Sequence, residues 1–175
     1  MNELLKKSYL TDIVCALEQL YRCDRNIMTK HTCELTLSHR LGHYLADILE
    51  DGYSDMYVDC EYQRDINRSG GLKRLEKVKG DYQRPDIIFH DRGKTHNEGN
   101  AFVIELKWSD DIENDQIKVC GFIRQYQYIE GYCIYNIHAD SLSMVHYTRN
   151  TIDGGGTVLH YRYDKAIGKL MPMEV

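Results

Sequence analysis

Three side chains near the middle of this chain are of the kinds that can work on a phosphate ester. Asp86 follows Pro85, and Glu105 and Lys107 flank Leu106, with eighteen residues between the two acids. Carboxylates brought side by side repel one another unless something positive stands between them. A hard divalent cation held by oxygens meets that need. Beside such a cation an ammonium can orient a water and take up charge developing on a phosphate, while the cation lowers the water's pKa. Asp86, Glu105 and Lys107 are therefore the candidate chemistry.

They meet only if the chain between them turns back. Residues 84–108, RPDIIFHDRGKTHNEGNAFVIELKW, read as two strands around a polar ten-residue loop from Asp91 to Asn100. If that loop is symmetric, residues pair where their numbers sum to 191, so Asp86 lies opposite Glu105 and Arg84 opposite Lys107. Directly opposed residues have Cβ atoms about 4.5–5.5 Å apart. Alternation then puts Asp86, Glu105 and Lys107 on one face and Phe102, Ile104 and Leu106 on the other, in a core. A bulge hidden in the loop would slip the register by one and turn Asp86 away. Singly, Pro-Asp at a strand start and Glu-x-Lys at a strand end are ordinary on solvated faces. Their coincidence on paired strands is much rarer.

The flanking elements must hold this hairpin. Residues 8–22 carry Leu10, Ile13, Val14, Leu17, Leu20 and Tyr21 at helical spacing, and 24–31 read as a polar connection. A second helix is expected from Thr32, as its N-cap, to about Leu49, with Leu37, Leu41, Tyr44, Leu45 and Ile48 on one stripe. Glu34 falls within that stripe. A carboxylate there needs a cation, a donor or water, although a first-turn Glu also simply suits the helix dipole. His39 and His43 lie on the polar face, with no third ligand for zinc.

Met56 to Gln63 alternates as a half-buried strand does. From Ile112 to Glu130 a third helix shows Val119, Phe122, Ile123, Tyr126 and Ile129 on one stripe, with Lys118 and Gln125 along its shoulder. Gly131 reads as its stop, and Tyr132 to Ile137 as an interior strand. Two more strand-like runs, 143–149 and 157–163, flank a turn at 153–156.

Composition bounds the remainder. At 175 residues, 42% apolar and 28% charged, the chain reads as one globular domain over 1–175. No apolar stretch of about 20 residues could span a bilayer, and the first apolar run is interrupted by Asp12 and Glu18. A cytoplasmic protein is expected, its six cysteines buried free thiols. The net charge of −5 gives no global basic field. From Arg64 to Arg84, however, seven basic residues stand against three acids. Such a run is usually a solvated loop, and it gains meaning if it borders a site that grips a phosphate backbone. The fourteen tyrosines could stack bases or fill a core.

Pro85-Asp86 followed by Glu105-Leu106-Lys107 resembles the PD-(D/E)xK motif of the restriction-endonuclease-like nuclease superfamily. The expected order over about 32–137 (helix, three strands, helix, strand) is similar to that superfamily's αβββαβ core. The resemblance implies an α/β fold with a mixed central sheet flanked by helices, the first helix and last strands being additions. It implies Asp86, Glu105, Glu34 and the Leu106 carbonyl as ligands of Mg2+, with Mn2+ able to substitute. Lys107 would be the catalytic lysine, alongside the acids Asp86, Glu105 and Glu34. Arg64, Arg84, Lys118 and Gln125 would contact substrate, most plausibly DNA, and a homodimer is conceivable by analogy. The rival expectation is a nuclease-like fold that no longer cuts and serves as a binding or assembly module.

Overall fold

The computed structural model describes residues 8–29, 33–62, 75–76, 82–94 and 98–174. In chain order the elements are helices α1 (Leu10–Cys23), α2 (Arg25–Thr29) and α3 (Glu34–Leu49), then strands β1 (Met56–Cys60), β2 (Leu75–Glu76), β3 (Tyr82–Gln83), β4 (Ile87–Asp91) and β5 (Asn100–Leu106). Helix α4 (Glu113–Tyr126) follows, and then strands β6 (Glu130–Tyr135), β7 (Ser141–Thr148), β8 (Thr157–Asp164) and β9 (Lys169–Pro172).

Seven strands make one mixed sheet in the order β1-β4-β5-β6-β7-β8-β9, while β2 and β3 pair separately. Among its neighbouring pairs β5 and β6 run parallel, and helix α4 makes the crossover that a parallel pair needs. Every residue of β5 is buried, as expected for a strand covered on both faces.

Alternation along the central strands sorts their apolar side chains into two cores. Ile87, Phe89, Phe102, Ile104 and Leu106 pack with α1 and α3 on one face. Ile88, Val103, Cys133 and Val145 pack with Val119, Phe122, Ile123 and Tyr126 of α4 on the other. Each fully buried Ile or Phe contributes on the order of 1.5–3 kcal/mol. Nine of the tyrosines, among them Tyr9, Tyr21, Tyr126, Tyr128 and Tyr132, are buried, so these fill core and are not available to stack bases.

The hairpin keeps the symmetric register: Ile87 pairs with Ile104, Ile88 with Val103 and Phe89 with Phe102. A bulge does occur, between Phe89 and His90, where His90 pairs with Asn100. It lies on the loop side of these pairs, so the slip does not propagate to Asp86.

Several expectations are corrected. The connection after α1 contains the short helix α2, anchored by buried Met28. Helix α4 ends at Tyr126, where Gln127 adopts a left-handed conformation (φ 56°), so Ile129 and Glu130 leave the helix. Gly131 is not a helix stop but a residue of β6. A Cβ there would lie 2.8 Å from Ile123 Cδ1 and closer still to Val119 Cγ1, so its absence lets α4 rest on the sheet. A ninth strand, β9, follows the two expected near the C-terminus. The cysteines are all free, but only Cys133 is buried, and Cys15, Cys23 and Cys33 are exposed. His39 and His43 are exposed, as the helical phase requires. Thr32, Arg64 and most of the basic run lie outside the described residues, whose α3 starts after Cys33. Among the described residues no helix is long and apolar enough to cross a membrane.

Candidate functional site

Where β5 leaves the sheet, three successive backbone N–H groups are taken by three different elements. Leu106 N–H donates to Asp86 Oδ2 at 2.8 Å, just before β4 begins. Lys107 N–H donates to the Ile134 carbonyl of β6 at 2.9 Å. Trp108 N–H donates to Glu34 Oε1 at 3.3 Å, in the first turn of α3. The exit of β5 is thus clamped by two carboxylates, each with a second oxygen not used in these bonds.

Glu105 points to the α4 face and is 2% exposed. One turn and a half along α4, Lys118 reaches back to it, with Nζ 2.5 Å from Oε2. The other oxygen, Oε1, is buried and has no hydrogen-bond partner among the described residues. A buried, unsatisfied carboxylate oxygen is costly and calls for a physical reason.

The electrostatics show how crowded this corner is with negative charge. Burial, and then the charge of Asp86, push the Glu105 carboxyl well above the ordinary carboxylate range, against the pull of Lys118. Asp86 is likewise raised by burial, with Glu61 and Glu34 adding to it and with Lys118 and the Leu106 N–H opposing. For Lys118, burial alone would lower the ammonium's pKa, but Glu105, Asp86 and Asp115 together outweigh it and raise it.

Asp115 joins the site without being among the residues the sequence pattern singles out. It sits in the first turn of α4, 4.0 Å from Lys107 Nζ, and burial raises it despite Lys107 and Lys118, with Glu34 and Asp111 adding to the rise. Its signal was present, since it precedes Lys118 by three residues and so shares that face of the helix. Lys107 itself is more open, with 37% of its side chain exposed.

The structure therefore brings together Glu34, Asp86, Glu105, Leu106, Lys107 and Lys118, and adds Asp115. It does not bring in the others. Arg84 is exposed and turned to Glu61, 3.3 Å away. Gln125 is exposed, two turns beyond Lys118 on α4. Arg64 is outside the described residues.

Among the described residues no group of three or more His, Cys, Asp or Glu is arranged as a ready-made metal cage. The donor set nonetheless fits a hard cation in chemistry: it is all oxygen, it carries excess negative charge, and it includes the unpartnered Oε1 of Glu105. Among the described residues Lys118 is the one cation in direct contact with that carboxylate.

No protein-family model and no curated protein matches the sequence. Two solved chains are similar in structure. One of them, "Crystal structure of SSO0001", is 17% identical over 84% of this chain and 73% of that chain, with a TM-score of 0.34.

Proposed function

We propose that this chain is a divalent-cation-dependent nuclease of the PD-(D/E)xK kind, hydrolysing phosphodiester bonds in DNA. The observation that carries the reading is the convergence of half-buried Asp86 and buried Glu105 at the end of β5, with one Glu105 oxygen left without a hydrogen-bond partner among the described residues. The order α3, β1, β4, β5, α4, β6 along the chain supports the restriction-endonuclease-like core within the seven-stranded α/β fold.

Asp86 and Glu105 would hold Mg2+ or Mn2+, with Glu34 and the Leu106 carbonyl as further oxygen donors. Bound there, the cation supplies neutralisation of the carboxylates, a more acidic water and a clamp on phosphate oxygens. The chain's own residues do the rest. The backbone clamp at Leu106 and Trp108 fixes the end of β5, and with it the direction of Glu105 and Lys107. Lys107, partly exposed beside Asp115, orients the attacking water and meets charge developing on the phosphate. The basic residues between Arg64 and Arg84, as a charge excess in the sequence, would supply attraction for the DNA backbone without reading bases.

The test is cleavage of plasmid and of single-stranded DNA with Mg2+ or Mn2+, comparing wild type with Asp86→Ala and Glu105→Gln. Loss of about 100-fold or more in both variants is expected when a residue of the cation site is removed. Equal activity in all three proteins would sink the reading. Cation binding that Glu105→Gln abolishes, without cleavage of any nucleic acid, would assign a binding or assembly module in place of an enzyme.

A further inference from the structure

Lys118, which the resemblance would make a substrate contact, is instead turned inward onto a carboxylate. Its ammonium lies in the corner between the carboxylates, 2.5 Å from Glu105 Oε2, with 13% of the side chain exposed. Asp86 and Asp115 act on it as well as Glu105. Each of these acids would be repelled by its neighbours in a metal-free chain. Buried Glu105 beside half-buried Asp86, without a counter-ion, would cost the fold dearly. Lys118 thus does for the metal-free protein what the cation would do for the loaded one.

The ammonium holds Oε2 and leaves Oε1 open. A divalent cation that takes Glu105, through Oε1 or through both oxygens, stands within a few ångströms of the ammonium, and the like charges repel. Asp115, three residues earlier on the same helix and already 4.0 Å from Lys107 Nζ, is an acid within reach of a side chain leaving Glu105. We infer that Lys118 is a built-in counter-ion that holds the cation's place between Asp86 and Glu105 and is displaced when a divalent ion binds. The inference rests on the cation site proposed above. It gives that site an affinity set by a competition within the chain: the fraction of molecules in which Lys118 has left Glu105 scales the apparent affinity. Lys118 is in this sense a positioning residue, which keeps the carboxylates paired until the cation arrives.

The test is reductive methylation of the full chain with formaldehyde, read by peptide mass spectrometry with and without Mg2+, with binding followed in parallel by calorimetry. Lys118 is expected to be protected without Mg2+ and labelled severalfold faster with it, while exposed Lys165 serves as the internal reference. Lys118→Met is expected to melt earlier than wild type without Mg2+ and to bind Mg2+ roughly tenfold more tightly, because no ammonium has to leave. Mg2+ binding to wild type with Lys118 still protected overturns the displacement but leaves the cation site standing. Mg2+ binding to neither wild type nor Lys118→Met overturns both. Binding to Lys118→Met alone supports the competition in its strongest form. The labelling experiment needs no substitution, so poor folding of Lys118→Met does not remove the test.

Discussion

Two glutamates are buried on adjacent strands of this sheet, three positions apart in the register and on opposite faces, and their surroundings are opposite. Glu105 on β5 faces α4, and Glu130 on the adjacent strand β6 faces α1. Glu130 is 4% exposed yet fully engaged: it accepts from the Tyr9 N–H at 2.9 Å and the Tyr132 hydroxyl at 2.5 Å. His146 Nε2 stands 3.3 Å from its other oxygen, its ring stacked on Tyr132 with centroids 4.7 Å apart. Burial alone would raise its carboxyl pKa, but His146, Tyr132 and Tyr9 outweigh burial and hold it below its ordinary value. Glu105 has one cation, two repelling acids (Asp86 and Asp115) and one oxygen with no hydrogen-bond partner among the described residues, and its carboxyl is pushed the other way. A buried charge that the fold has satisfied belongs to the architecture, here tying the start of α1 to the sheet. One left underfilled is a cost that folding alone does not explain.

The contrast breaks most sharply under substitution. Glu130→Gln should lower unfolding free energy by on the order of 3–5 kcal/mol, as removing one partner of a buried charged network does. Glu105→Gln should change it by less, about 1 kcal/mol, because the amide can still accept from Lys118 while Asp86 and Asp115 still act on that ammonium, and the repulsion between the acids disappears. Urea denaturation compares them. Equal losses would make Glu105 a structural residue and erase the distinction.

A smaller effect tests how tightly the α4 wall is set. Gly131→Ala places a methyl against Val119 and Ile123, and overpacking of this kind costs about 1–3 kcal/mol. Because Lys118 and Val119 are neighbours on α4, the variant should also weaken Mg2+ binding in calorimetry. Wild-type affinity with the full stability loss would mean that the cation site tolerates a shifted helix.

The smallest effect is the acid limb of the stability curve. Glu130 titrates below the ordinary 4.5 in the folded chain. Its contribution is therefore complete above that pH and is lost as the pH falls through its lower folded value. Melting temperatures taken from about pH 6 down to pH 3 should fall less steeply in Glu130→Gln than in wild type. Parallel curves would show that Glu130 is not the group responsible.

Much of the site could be read before folding was considered. The symmetric loop predicts that Ile87 meets Ile104 and Phe89 meets Phe102, and the strands keep that register. Helical phase directed Glu34 inward, and it ends on the Trp108 backbone. Helical phase puts Lys118 on the shoulder of its helix, but nothing local says that it reaches Glu105 and not solvent. Asp115 carries no signal of its own, because an acid in a first helical turn is unexceptional. Apolar periodicity runs on past Tyr126 and draws Glu130 into a helix that stops four residues earlier, at the left-handed turn of Gln127.

The sequence by itself determined what is local and periodic: strand alternation, helical stripes, and a hairpin whose loop length brings Asp86 and Glu105 opposite one another. Backbone geometry repeats at short range, so spacing is enough to place side chains on faces. Which charges are satisfied was decided only by the tertiary structure. Burial and partner distance depend on elements far apart in the chain: Tyr9 and His146 around Glu130, Lys118 and Asp86 around Glu105. An electrostatic cost exists only once the water is gone, and water is excluded by the fold as a whole.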